Sequence, residues 1–212
     1  MEKLHRKKLI IFDLDGVLVD SKNNMKTAWN SAKKKYKLNI QFNKYFKQVG
    51  KPFNIILKSL NIKSENKLIE EEYSRTSIKN LRKIKLYKNA KKILNLLRRK
   101  ENIITAIVTS KNYDRTKKIL RLFKLKVDYV QCPQKGLRGK PYPDQIIKVI
   151  KKFKIPRRNC FYVGDTIFDK KAASKSKINF IFAQYGFKIG IKKYKYSINN
   201  ILEIVDFINE RK

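Results

Sequence analysis

The sequence predicts a doubly wound α/β fold, a parallel sheet covered by helices, with a small α-helical subdomain inserted near its start. Three observations predict it. Short apolar runs recur along the chain, helical periodicity fills most of the gaps between them, and a carboxylate or hydroxyl residue follows directly on several runs. Strand alternating with helix means a parallel sheet, because a parallel crossover needs about a helix's length of chain.

Leu9 to Phe12 is a continuous apolar run ending at Asp13, and it reads as a strand buried on both faces. Similar runs follow at Ile103 to Val108, Val127 to Val130, Cys160 to Val163 and Asn179 to Phe182. Between them, Ala90, Ile93, Leu94 and Leu97 form a helical stripe; Ile119, Leu120 and Phe123 form a second; Ile146, Ile147, Val149 and Ile150 form a third. The interval from Asp20 to Ile84 breaks the alternation. Ala28, Trp29 and Ala32, then Ile55, Ile56 and Leu60, then Leu68, Ile69 and Tyr73 carry helical spacing there without a convincing strand. The predicted organisation is therefore an α/β core from residues 1–19 and 85–212, with a helical insert over 20–84. Ile198 to Ile208 reads as one amphipathic helix packed on the core.

A chain of 212 residues can build such a core. The first apolar run is too short for a signal-peptide core or a membrane span, so a cytoplasmic protein is expected. Cys132 and Cys160 lie far apart without CxxC spacing and read as buried thiols in a reducing cytosol. His5 is the sole histidine, which nearly excludes a zinc site or a histidine-based triad. Any metal must then be held by carboxylates, which favour hard cations such as Mg2+. The net charge of +36 suggests a polyanion partner. However, lysine is spread along the whole chain, Ile and Asn are abundant, and Ala and Gly are scarce, a pattern that AT-rich codon usage explains together. Nucleic acid is not the expected partner, although a positive field still steers phosphorylated substrates.

Ligands of doubly wound sheets bind beyond the carboxyl ends of the strands. This selects Asp13 and Asp15, Thr109 and Ser110, Lys140 at the end of a longer loop, and Asp165 with Asp169. Asp13 ends a buried strand, Asp15 lies two residues on, and Gly16 lets the chain turn tightly. One carboxylate can attack phosphorus while its neighbour protonates the leaving oxygen and later activates water. Other readings stay open. Asp165 and Asp169 also suit helix capping, and Asp144, after a proline at a helix start, is read as a cap. Asp20 and Ser21, where the insert begins, suit a hinge or a substrate contact equally, and Lys111 lies near the site with no assigned role.

The segment Asp13-Leu14-Asp15-Gly16-Val17-Leu18-Val19-Asp20-Ser21 resembles the first motif of the haloacid dehalogenase superfamily. Ile107-Val108-Thr109-Ser110-Lys111, Lys140-Pro141-Tyr142-Pro143-Asp144 and Val163-Gly164-Asp165-Thr166-Ile167-Phe168-Asp169 resemble the second, third and fourth, in the family's order. The resemblance implies a Rossmann-like core with Asp13 as nucleophile and Asp15 as general acid and base. It implies Mg2+ bound by Asp13 and Asp165, by the Asp15 carbonyl, and by Asp169 directly or through water. Thr109, with Ser110 beside it, and Lys140 would hold the phosphoryl oxygens. Asp15 argues against dehalogenation, since true dehalogenases of the family lack an acid there. A helical cap after the first motif, with Thr109-Ser110-Lys111 similar to a Thr-Asn-Lys pattern, points to the phosphoglycolate phosphatase-like members. Gly50 and Lys51 would belong to a cap loop facing the site, or to a turn between helices. The implied function is hydrolysis of a small phosphorylated metabolite, phosphoglycolate or a sugar phosphate, through an aspartyl phosphate. A β-phosphoglucomutase-like phosphomutase is the alternative enzyme. A basic polyanion-binding protein on an inactive fold is the alternative of another class, and the intact aspartates and Lys140 count against it.

Overall fold

The computed structural model describes residues 7–63 and 65–210; His5 lies outside the described residues. Its main sheet has six strands: β1 (Lys8–Phe12), β4 (Ile103–Val108), β5 (Tyr129–Gln131), β6 (Cys160–Gly164), β7 (Asn179–Ala183) and β8 (Ser197–Ile198). They lie in the order β5-β4-β1-β6-β7-β8, and every pairing is parallel. Strand β1 is central, between β4 and β6. Its side chains alternate between the two faces, with Ile10 and Phe12 in one core cluster and Leu9 and Ile11 in the other. All four are fully buried, and each contributes roughly 1.5–3 kcal/mol.

Helices α5 (Ala90–Arg98), α6 (Tyr113–Leu122), α7 (Asp144–Phe153), α8 (Ile167–Lys175) and α9 (Ile204–Glu210) cover this sheet. The predicted stripe Ala90, Ile93, Leu94 and Leu97 is buried throughout. Four further helices follow β1: α1 (Lys22–Lys35), α2 (Phe42–Phe46), α3 (Phe53–Ser59) and α4 (Asn66–Lys79). They enclose a third apolar cluster around Trp29, Tyr45, Leu57 and Tyr73. Met25, Ala28, Trp29 and Ala32 give α1 its buried face, at the three- and four-residue spacing of a helix. Asn24 fastens α1 to the end of α4, its amide donating to the carbonyls of Ser77 at 2.8 Å and Asn80 at 2.9 Å. Of the apolar residues assigned to these helices, Ile55 and Leu68 instead face outward, 38% and 48% exposed, because the buried face passes through Ile56, Leu57 and Ile69.

Three elements differ from the sequence reading. Strand β5 starts at Tyr129 because the Asp128 carboxylate accepts from the Thr105 amide and hydroxyl, both at 2.8 Å, and so delays the ladder. The chain's end is divided. Ser197–Ile198 pairs with β7, and Asn200 and Glu203 then form a reciprocal capping box that starts a helical turn. Finally, β2 (Val19–Asp20) and β3 (Lys85–Leu86) pair antiparallel where the chain leaves and re-enters the α/β layer. Two-residue strands carry no periodicity to detect. Both cysteines are buried and free. Among the described residues no helix is long and apolar enough to cross a membrane.

Trp29 is fully buried and stacks on Tyr45 with ring centroids 4.4 Å apart. Trp29→Ala is expected to cost about 3–5 kcal/mol, read as a lower urea midpoint.

Candidate active site

Asp13 follows β1 directly, and its amide extends the ladder by donating to the Val163 carbonyl at 2.9 Å. Its Oδ1 accepts from the Leu14 amide at 2.7 Å, and its Oδ2 lies 2.9 Å from Lys140 Nζ. Gly16, at φ +85°, then reverses the chain, with its amide donating to the Val19 carbonyl at 2.8 Å. A Cβ there would stand 2.1 Å from Asp165 Oδ2, so the position has no room for a side chain. The turn brings Asp15 against Lys111 Nζ at 3.1 Å and the Ser21 hydroxyl, which donates to Asp15 Oδ1.

Beyond β4, Thr109 Oγ1 accepts from the Lys111 amide at 3.1 Å, and Ser110 Oγ donates to the Gly50 carbonyl at 2.7 Å. Lys140 reaches the site from the loop before α7, and its peptide bond to Pro141 is cis. Asp144 does not cap α7. It is the helix's first residue, Pro143 holds the cap position, and the Asp144 carboxylate takes three bonds of 3.0–3.1 Å from the amide and guanidinium of Arg138. That clamp fixes the loop on which Lys140 is carried.

Asp165 and Thr166 follow β6. Thr166 caps α8, and Asp169 completes the reciprocal box by accepting from the Thr166 amide at 3.0 Å. The helix-cap reading therefore holds for Asp169 but not for Asp165. Asp169 Oδ1 also accepts from Lys140 Nζ at 2.7 Å and lies 3.2 Å from the Tyr162 hydroxyl. Asp165 Oδ2 accepts from the Phe187 amide at 2.7 Å, while its Oδ1 is buried without any partner. Asp13, Asp165 and Asp169 present carboxylate oxygens within 4.8 Å of one another.

This cluster sets three buried carboxylates against one ammonium. Burial pushes the Asp13 carboxyl up to about 7, with Lys140 pulling it back and Asp169 adding to the rise. Burial, then Asp169 and Asp13, raise Asp165 far above the usual carboxylate range. Burial opposes the Lys140 charge, but Asp13 and Asp169 together hold its ammonium protonated. Burial and nearby Arg115 bring Lys111 down to about 8 against the pull of Asp15. Three buried carboxyl groups that cannot all ionise around one ammonium, hard oxygen donors and one orphaned carboxylate oxygen fit a small divalent cation, which can take the place of the protons.

Asp13, Asp15, Thr109, Ser110, Lys140, Gly50 and Lys51 all line one cavity of about 50 Å³, with Asp165 and Asp169 adjoining Asp13. Asp20 does not line it. Its carboxylate accepts from the Lys22 amide at 3.0 Å, at the start of α1. The cavity also takes in Lys111, Arg115, Thr166, Tyr45 and Tyr73. For Arg115 the available signal was its place four residues after Lys111, in the first turn of the helix that follows the second motif; for the two tyrosines there was none, since their helical spacing also describes an ordinary core.

A family profile described as haloacid dehalogenase-like hydrolase matches residues 10–183. The chain belongs to this family. The hydrolase is 26% identical over 208 residues to the protein named "Putative pyrophosphatase PpaX" of Caldanaerobacter subterraneus subsp. tengcongensis, covering 94% of this chain and 93% of that one. A hydrolase from Pseudomonas syringae shares the fold at TM-score 0.85 and 24% identity, over 96% of this chain and 99% of its own. A predicted phosphoglycolate phosphatase from Haemophilus somnus 129PT does so at TM-score 0.81 and 24% identity, over 95% and 98%.

Gly16→Ala forces both a left-handed backbone on alanine and a collision with Asp165. It is expected to lower stability by at least about 1–3 kcal/mol in urea unfolding. The folded protein holds a proton on Asp13 up to about pH 7, whereas the unfolded chain releases it near its ordinary value of 3.8. Stability of protein stripped of divalent cations should thus fall as pH rises between these values. Urea midpoints at about pH 5 and about pH 8 check this, and Asp13→Asn should reduce the difference.

Proposed function

We propose that this hydrolase is a Mg2+-dependent phosphatase of small phosphorylated metabolites that forms an aspartyl phosphate on Asp13. The observation that carries the reading is a buried nucleophile candidate facing a small cavity, 2.9 Å from Lys140 and grouped with an Asp165 oxygen that has no partner. The names of the pyrophosphatase and phosphoglycolate phosphatase relatives support the same substrate class.

In this reading an Asp13 carboxylate oxygen attacks phosphorus, and the bond to the ester oxygen breaks. Asp15 gives a proton to that leaving oxygen as general acid. Asp15 then takes a proton from a water, the resulting hydroxide attacks phosphorus, and phosphate leaves while Asp13 is restored. Lys140, Thr109 and Ser110 orient the phosphoryl oxygens, and Lys140 offsets their charge. Asp13, Asp165 and the Asp15 carbonyl would hold Mg2+. Asp169, whose oxygens already serve Lys140, Tyr162 and Thr166, supports from behind. When bound, the ion neutralises charge on the transferring group. Residues 20–84 act as a cap whose Gly50–Lys51 loop, tied to Ser110, closes the cavity against water and selects the leaving group.

The test is phosphate release from phosphoglycolate, pyrophosphate, sugar phosphates and nucleotides, with Mg2+ and with chelator. Release is expected only with the ion. Asp13→Asn should abolish it, and Asp15→Asn should lower it by about 10²–10⁴-fold. Substantial turnover by Asp13→Asn refutes the nucleophile, and transfer to substrate rather than water identifies a mutase.

A further inference from the structure

Arg115 stands on the first turn of α6, 7% exposed, and lines the cavity. Its Nε donates to Ser77 Oγ at 3.1 Å, and its guanidinium lies over the Tyr73 ring, 4.8 Å from the centroid. The three buried cations of the cavity differ in one respect. Lys140 is paired with Asp13 and Asp169, and Lys111 with Asp15, whereas among the described residues no carboxylate lies within ion-pair distance of Arg115. Glu70 on α4 feels the Arg115 charge, but from beyond contact; a buried guanidinium without a contact counterion is costly, and an aromatic face offsets only part of that cost. Tyr45 donates to the Tyr73 hydroxyl at 2.8 Å, which leaves the Tyr73 O–H to donate elsewhere.

We propose that Arg115 is a second anion subsite, so that the substrate carries, besides the phosphoryl group to be cleaved, a second acidic group on its leaving-group side. The proposal rests on reading this cavity as a phosphatase site. The terminal nitrogens of a guanidinium form a planar fork that suits a carboxylate or a phosphoryl group, and the Tyr73 hydroxyl can add a third bond. A substrate with a neutral leaving group leaves the guanidinium without a contact anion and is disfavoured. The subsite forms only where the insert meets the core, since Arg115 comes from α6 and both Ser77 and Tyr73 from α4.

Two measurements on the full chain test this. Calorimetric binding compares phosphonoacetate, which carries a carboxylate, with methylphosphonate, which does not. Turnover compares phosphoglycolate and pyrophosphate with p-nitrophenyl phosphate. The wild type is expected to favour the acid-bearing member of each comparison. Arg115→Gln should reduce that preference by about 10- to 100-fold, with the loss in KM, and Arg115→Lys should restore part of it. The ranking of phosphoglycolate against pyrophosphate tells a carboxylate from a phosphoryl partner. A binding preference that Arg115→Gln erases upholds the subsite even if no ester is hydrolysed, in which case only the phosphatase reading fails. A wild type without preference, or a variant that loses both substrate classes equally, overturns the subsite even where every ester is hydrolysed. Should Arg115→Gln not fold, Arg115→Lys gives the same readout with a smaller shift.

Discussion

The ammonium of Lys140, 1% exposed between Asp13 and Asp169, is the contact on which the rest of the site depends. Three segments distant in sequence must meet to make it: the end of β1, the loop before α7 and the first turn of α8. Each is fixed by its own local device. Asp13 is held by the ladder to β6, the loop by the Arg138–Asp144 clamp, and Asp169 by its capping box with Thr166. Removing one partner of a buried ion pair costs about 3–5 kcal/mol, so these devices protect stability as well as geometry. One ammonium cannot keep three buried carboxyls ionised, so the cluster holds protons that a cation can displace.

The fold was legible because its central strands are mostly apolar runs followed closely by polar residues, and a parallel sheet places those ends along one edge. Asp13, Thr109 and Asp165 follow three adjacent strands of the sheet for that reason. Short elements were not legible. The β2–β3 pair is two residues long on each side, and β8 is an edge pairing set by its neighbour rather than by its own composition. Asp144 shows a different limit. A carboxylate at a helix start suits capping in sequence, but Arg138, six residues earlier, competes for it with three donors. Arg115 was hidden by composition, because one arginine in so basic a chain does not stand out until its burial without a contact ion pair is seen.

The seam between the helical insert and the α/β layer is built from close but separable contacts. A Cβ on Gly139 would meet Pro52 at 2.4 Å, Asn112 Nδ2 donates to Ser74 Oγ at 3.3 Å, and Phe46 packs on Phe187 with centroids 5.1 Å apart. Lys51 lies over the Phe168 ring, 4.9 Å from its centroid. The seam thus combines apolar packing, with Phe187 and Ile189 against the cluster around Trp29, and partly exposed hydrogen bonds that exchange readily for water.

The chain's sole tryptophan lies one ring away from the cavity. Trp29 stacks on Tyr45, Tyr45 lines the cavity, and the Trp29 indole donates to the Ile40 carbonyl at 3.0 Å. An occupant that presses on Tyr45, or a shift of the insert, changes the surroundings of that one indole. The protein therefore carries its own optical reporter: selectively excited tryptophan emission reads the surroundings of one indole beside the cavity, with no label attached and no other tryptophan to dilute the signal.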